Sequence, residues 1–264
     1  MNHPLHTAYT SVEILGQREI ARGYYLLEFS YPSTAPAPNP GQFFTMRIGN
    51  GPVPLLRRPF AFSSYTDGKA ACIYQRRGRA TTMLTTYRPG DVLDIIAPLG
   101  RPFPLEAPSP HPPVLVSGGI GIGPILFLSR VLEAQGRPHL LLLGARSADL
   151  LPPHRPGPRT ELVLCTDDGS TGFHGTTVDY LSSAERLVPN TVVYACGPTP
   201  MLKALARLAE AAGAQLWVSV EQTMACGVGA CLSCVVPTTG STRYARVCTE
   251  GPVFDAKEIA WTSL

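Results

Sequence analysis

Four of the seven cysteines crowd near the carboxyl end, at Cys226, Cys231, Cys234 and Cys248, in the pattern C-x4-C-x2-C-x13-C. This is the plant-type spacing for a [2Fe–2S] cluster, in which four thiolates complete the coordination of two irons. A chain so bound has to wrap a small inorganic core. Gly227 and Gly229, inside Cys226-Gly-Val-Gly-Ala-Cys231, let the backbone curl closely and turn amide N–H groups toward sulfur. The alternatives are a structural zinc on the same thiolates or a set of buried free cysteines. An odd total of cysteines fits no complete disulfide framework, and the crowding points to metal ligation in a reducing compartment. A [2Fe–2S] cluster passes one electron at a time, so the chain must contain or meet a group that handles pairs, and a flavin is the usual converter.

The rest of the chain divides by pattern. At 264 residues it is long enough for about two domains at roughly 150 residues each. From Thr10 to Phe103 short β-type runs recur at Ser11–Leu15, Tyr24–Phe29, Phe43–Ile48, Ala61–Tyr65, Ala71–Gln75 and Val92–Ile96. Gly, Pro and Asn punctuate them as in an all-β barrel or sandwich. After a Pro-rich connector, Glu106–Pro113, strands alternate with helices: Val114–Ser117, Ile125–Ala134, Leu140–Leu143, Leu162–Thr166, Thr176–Leu181 and Thr191–Ala195. That alternation predicts an α/β domain with a parallel sheet. Met201–Ala212 reads as the cleanest helix, with Pro200 at its start and Gly213 as its stop, and Gln215–Val220 as one more strand. The expected division is 8–107, 108–217 and a small carboxyl-terminal module at 218–264.

Composition excludes several classes. The formal net charge is only +3 and the arginines are scattered, so no nucleic-acid partner is expected. Ala107–Ser129 carries no Asp, Glu, Lys or Arg, but glycines and prolines interrupt it, and it reads as strand, loop and helix with no membrane span. Met1–Thr10 lacks the basic start and apolar run of a secretory signal, which makes the cytoplasm the expected location.

Five further stretches carry candidate chemistry. Val114-Leu-Val-Ser-Gly118-Gly119-Ile-Gly121-Ile-Gly123-Pro124 passes from strand through glycines into helix, a turn that brings bare backbone to a pyrophosphate or serves as a tight packing turn. Cys196, in Cys196-Gly197-Pro198, stands at the carboxyl edge of a predicted parallel strand, where its thiol either contacts a nicotinamide ring or is core. Asp167-Asp168-Gly169-Ser170 is a plain turn or presents a carboxylate to a ribose. In the first domain, Arg57-Arg58-Pro59-Phe60 and Gly78-Arg79-Ala80-Thr81-Thr82 either hold a diphosphate or form a solvated basic hairpin.

Taken in order, Leu56-Arg57-Arg58-Pro59-Phe60, Tyr87-Arg-Pro-Gly-Asp91, Pro98-Leu-Gly100, Gly118–Pro124, Thr166–Ser170, Tyr194-Ala-Cys196-Gly-Pro198 and Met224-Ala-Cys226-Gly-Val-Gly-Ala-Cys231 resemble the electron-transfer subunits of NAD-dependent dihydroorotate dehydrogenases over nearly the whole chain. These are a branch of the ferredoxin-reductase-like flavoproteins. The resemblance implies an N-terminal antiparallel FAD-binding β-barrel, a central Rossmann-like nucleotide domain and a C-terminal [2Fe–2S] module. Its implied partner is an FMN-containing catalytic subunit, in a heterotetramer of two of each chain.

Carried over by motif, Arg58, Pro59, Phe60 and Ala61 line the flavin and its phosphates, Ile73, Tyr74 and Gln75 lie beside it, and Ala80 and Thr81 meet the diphosphate. Gly118, Gly119, Gly121, Gly123 and Cys196 face the nicotinamide cofactor. The family usually has Ser where this chain has Ala61, and Gly where it has Ala80. Loss of one hydroxyl hydrogen bond is worth about 0.5–1.5 kcal/mol, enough to tune flavin affinity or potential without abolishing binding.

The implied activity is transfer of electrons from FMN through the cluster and FAD to NAD⁺, in pyrimidine biosynthesis. The chain by itself would be inactive on dihydroorotate but able to oxidise NADH with an artificial acceptor. An NAD(P)H-linked ferredoxin reductase or hydrogenase diaphorase subunit is the first alternative, and a non-catalytic zinc-stabilised binding module the second. Arg146, just past a strand, leaves NAD against NADP open, and NAD is expected from the resemblance alone.

Overall fold

The structure is a computed structural model and describes residues 7–49 and 51–264. Most of the Met1–Thr10 stretch therefore lies outside the described residues. The first half is one seven-stranded antiparallel sheet curled into a barrel: β1 (Ala8–Ala21), β2 (Tyr24–Ser30), β3 (Phe43–Arg47), β4 (Arg58–Ala61), β5 (Ser64–Thr66), β6 (Lys69–Gln75) and β7 (Val92–Leu99), ordered β4-β3-β7-β1-β2-β6-β5. Alternation builds it. In β1, Val12 and Ile14 are buried while Ser11, Glu13 and Leu15 face out, as a half-buried strand requires.

The expected single strand Ala61–Tyr65 is in fact two. At Phe62–Ser63 the backbone leaves β3 for β6, with the Phe62 N–H donating to Gln42 O at 3.2 Å and the Ser63 N–H to Ala71 O at 2.7 Å. This change of partner brings the two sheet edges together. A short helix, α1 (Arg79–Leu84), closes one end and buries Ala80 and Leu84.

The second half is a seven-stranded sheet ordered β11-β10-β9-β8-β12-β13-β16. Its strands are β8 (Val114–Gly118), β9 (His139–Ala145), β10 (Thr160–Thr166), β11 (Phe173–His174), β12 (Val192–Cys196), β13 (Gln215–Ser219) and β16 (Val253–Asp255). All pair in parallel except β16. β8 and β12 are apolar and buried on both faces, as helix-covered parallel strands must be. The helices are α2 (Ile122–Ala134), α3 (Thr177–Ser183) and α4 (Thr199–Ala212). α4 starts two residues before the expected Met201 and ends on Gly213, whose left-handed φ of 68° lets its N–H cap Ala209 O and Glu210 O. Strand order reverses between β8 and β12, so a crevice opens at their carboxyl ends.

The carboxyl-terminal segment leaves β13, forms a hairpin of β14 (Val235–Pro237) and β15 (Tyr244–Arg246), and returns β16 to the large sheet. The three parts share cores. Phe43 and Leu99 of the barrel pack with Cys234, Cys248 and strands of the parallel sheet, while Phe127 of α2 enters the barrel core. The Tyr194 hydroxyl donates to Pro104 O at 2.6 Å, and Arg137 to Leu105 O at 2.8 Å, tying the connector to the sheet. Among the described residues no helix is long and apolar enough to cross a membrane.

Candidate functional site

A cleft of about 260 Å³ opens between barrel and parallel sheet. Pro59, Phe60 and Ala61 of β4 and Ile73, Tyr74 and Gln75 of β6 form one wall, and Thr81 of α1 lies at its end. The opposite wall is Cys196 at the end of β12 with Ile120 and Pro124 of the glycine turn. Apolar faces edged by Gln75, Arg77 and Glu221 suit a flat heteroaromatic ring with polar atoms on its rim. The residues present therefore fit a flavin meeting a nicotinamide.

Cys196 is 4% exposed, and its thiol is pushed up to about 12, by burial first and then by Glu221, with a Ser219 hydrogen bond opposing. It is a neutral thiol at ordinary pH, suited to contact and not to nucleophilic attack. Glu221 stands on the cleft rim with its carboxyl held above the usual carboxylate range by desolvation, against the pull of Arg77.

The glycine turn is fixed by close approach. A Cβ on Gly121 would overlap the Cys196 carbonyl and lie 2.7 Å from Gly197 N, so β8 and β12 can meet here only through bare backbone. Gly118, Gly119, Gly121 and Gly123 shape this turn without lining the cleft, and its lining side chains are Ile120 and Pro124. Arg58 turns away, donating to Leu56 O at 2.7 Å. Ala80 packs in the barrel core. The Thr81 hydroxyl accepts from Arg77 N–H at 3.0 Å and Gly78 N–H at 3.1 Å, which orders the loop. Asp168 lies beyond the cleft; Ser170 donates to it through hydroxyl and N–H, holding its carboxyl below the usual range.

Beside the cleft lies the cysteine loop, with Cys226 half-buried, Cys231 exposed and Cys234 and Cys248 buried. Backbone N–H groups of Val228 and Cys231 each donate to Cys226 Sγ at 3.4 Å, and that of Gly229 to Cys248 Sγ at 3.1 Å. The loop manages this because Gly227 and Gly229 take left-handed φ values of 72° and 83°. Arg246, paired with Glu250, also donates to Gly229 O at 3.3 Å. The Cys231 thiol also lies 3.2 Å from the Ser233 hydroxyl, and the Val247 N–H donates to Cys234 O at 2.9 Å, which ties the loop to β15 and the residues after it. Hydrogen bonds with Ser233 draw the exposed Cys231 thiol down to about 6, whereas burial and then Cys234 push Cys248 up to about 12. Cys72 and Cys165 lie apart and buried, with burial raising both thiols.

Residues 221–260 match the family model described as the iron-sulfur cluster binding domain of dihydroorotate dehydrogenase B. The dihydroorotate dehydrogenase B (NAD(+)) electron transfer subunit of Geobacillus thermodenitrificans is 38% identical over 251 residues, 93% of this chain and 96% of that protein. The chain belongs to this family of electron transfer subunits. The protein of the same name from Desulforamulus reducens is 35% identical over 255 residues, covering 94% and 97%. Among solved structures, an NADH-dependent reduced ferredoxin-NADP oxidoreductase superposes with a TM-score of 0.85 at 28% identity, covering 96% of this chain and 91% of that one. Phthalate dioxygenase reductase, at 19% identity, covers 88% and 87% with a TM-score of 0.61, and shows the shared fold.

For a dihydroorotate dehydrogenase B electron transfer subunit, several cleft residues go beyond what sequence reasoning picks out: Phe43, Arg77, Glu221 and Met224. Glu221 carried a usable signal, as a lone acid directly after an apolar parallel strand. Phe43 reads only as a strand residue, and Met224 only as the first residue of the stretch that leads into Cys226.

Proposed function

We propose that this chain is the electron-transfer subunit of a dihydroorotate dehydrogenase, taking electrons from the FMN of a separate catalytic subunit and delivering them through a [2Fe–2S] site and FAD to NAD⁺ in pyrimidine biosynthesis. The observation that carries this reading is Met224, two residues ahead of the first cluster cysteine, in the wall of the same cleft as Cys196 and β4. When bound, the cluster relays single electrons, and the flavin gathers two and hands them to NAD⁺ as hydride.

The chain's own residues bind and orient. Cys226, Cys231, Cys234 and Cys248 hold the iron, with the Val228, Gly229 and Cys231 amides spreading charge off sulfur. Pro59, Phe60, Ala61, Ile73, Tyr74 and Gln75 would hold the isoalloxazine and Thr81 would meet the diphosphate, with Ala80 packed beneath it and Arg58 reaching a phosphate by leaving Leu56 O. Gly118, Gly119, Gly121 and Gly123 give the dinucleotide a close approach to backbone, and the Cys196 thiol, staying protonated, meets the nicotinamide face without reacting. The division into 8–107, 108–217 and 218–264, assembly with two of each chain, and a cytoplasmic location complete the reading.

A same-cofactor reductase with another partner ranks second, favoured by the 28% identity and TM-score of 0.85 to the ferredoxin-NADP oxidoreductase. Mixing decides between them. Dihydroorotate-dependent NAD⁺ reduction should appear only when this chain and the FMN subunit are combined; turnover by this chain alone, or none by the pair, would overturn the assignment.

A further inference from the structure

Thr45 carries a hydroxyl that the protein itself does not use. It lies on β3, whose Phe44 and Met46 point into the barrel core, while Phe43 and Thr45 point to the outer face, toward the cysteine loop. Thr45 is 2% exposed, yet its Oγ1 has no hydrogen-bond partner among the described residues. Its cross-strand neighbours are Pro59 on β4 and Ile96 on β7, neither with a polar side chain. Over it sits Gly227: a Cβ there would lie 2.7 Å from Thr45 Cγ2 and 3.7 Å from Leu99 Cδ1. A buried hydroxyl is seldom left unpaired unless it awaits a ligand or water. The chemistry next to Gly227 that can accept a proton is sulfur, on the Cys226 thiolate and on the group the four cysteines hold.

A second hydroxyl repeats the arrangement on the other flank. Thr249 Oγ1 is also buried without a partner, and a Cβ on Gly229 would lie 2.8 Å from Thr249 Cγ2. The two left-handed glycines of the loop are thus each backed by a threonine, one from the barrel and one from the module itself.

We infer that the Thr45 hydroxyl donates a hydrogen bond to sulfur of the iron–sulfur centre, raising its reduction potential and fastening it to the β-strand beside the flavin wall. The inference rests on reading the cysteine loop as a [2Fe–2S] site. Three backbone amides already donate to the thiols; Thr45 adds a side-chain donor from another domain. Reduction puts negative charge on sulfur, so a donor stabilises the reduced state more than the oxidised one. Because Thr45 shares β3 with Phe43, which lines the cleft, the same strand positions both redox groups.

The test uses the full chain, prepared anaerobically, as wild type, Thr45→Val, Thr45→Ser and Thr45→Ala. Iron, sulfide and flavin are counted first. Wild-type protein without iron fails the cluster reading itself, before any potential is measured. The cluster potential is then titrated by electron paramagnetic resonance. Thr45→Val should shift the one-electron reduction equilibrium toward the oxidised form by roughly threefold to tenfold, tenfold being 59 mV. Thr45→Ser should restore it. An unchanged potential and spectrum in Thr45→Val, or an equal shift in Thr45→Ser, would overturn the inference. Should Thr45→Val not load, Thr45→Ala reads the same loss; if neither loads and Thr45→Ser does, the hydroxyl is required, and if all three fail, packing and not the hydroxyl is responsible.

Discussion

Gly121→Ala isolates the contact between the glycine turn and the Cys196 strand. Gly121 has φ −61° and ψ −4°, values open to alanine, so backbone conformation is not what the substitution strains. Space is. The new Cβ meets the Cys196 carbonyl and the Gly197 nitrogen, both main chain, and neither can swing aside as a flexible side chain would. Restoring ordinary van der Waals separation takes a retreat of about 1 Å. That retreat works against the parallel pairing of β8 and β12 at Ser117 and Cys196.

Overpacking of this kind costs about 1–3 kcal/mol. At roughly 2–4 °C per kcal/mol for a chain of this size, the melting temperature should fall by about 2–12 °C. A misplacement near 1 Å at the reacting centre costs on the order of 100-fold in rate, so NADH oxidation with an artificial acceptor should fall far more than stability does. Gly240→Ala, where a Cβ meets open space, is the control and should stay within about 0.5 kcal/mol of wild type. A Gly121→Ala protein that melts with wild type and keeps its NADH oxidation rate would refute this account of the turn.

Replacing Cys248 by Ser should abolish the cluster signal and dihydroorotate-dependent NAD⁺ reduction in the complex, while FAD content and NADH oxidation by an artificial acceptor persist; loss of the flavin as well would mean that the module is needed to build the cleft. In metal-free protein, iodoacetamide should label Cys231 before Cys196. The Cys231 rate should rise with pH toward about 7 and then level off, because its thiol titrates near 6, whereas Cys196, near 12, should stay unlabelled through pH 8. Peptide mass spectrometry reads this directly, and equal labelling of the two would contradict the environments described. Tyr194→Phe removes the 2.6 Å bond to Pro104 O and should cost about 1 kcal/mol in denaturant unfolding; an unchanged midpoint would show that the connector is held by packing alone.

Much of this was legible in the sequence because periodicity and turn chemistry are local. Val12 and Ile14 alternate with outward-facing neighbours, β8 opens on the apolar run Val114–Val116, and Gly213 stops α4 where a left-handed residue is needed. What escaped was decided by tertiary partners. The run Ala61–Tyr65 has Phe62 and Tyr65 to favour a strand and no Gly or Pro to end one, and it breaks because Phe62 and Ser63 exchange one neighbouring strand for another. β16 is three residues long, too short to announce itself, yet it completes the parallel sheet from the cysteine module. The four cysteines were readable as a set since one short segment carries three of them. The cleft draws Phe43, Arg77 and the pair Glu221 and Met224 from three separate segments, and so few residues in each leave no spacing to read. Arg58 illustrates the reverse: its motif is plain, but its guanidinium is turned back on Leu56 O.

The most direct measurement is the absorption spectrum of the anaerobically purified chain, with iron, acid-labile sulfide and flavin quantified on the same sample. Two irons, two sulfides and one FAD per chain, with bands of both chromophores bleached by NADH, are what the arrangement of β4, Cys196 and the cysteine loop predicts. A colourless protein carrying zinc, or a flavin that NADH reduces with no iron beside it, would contradict the account.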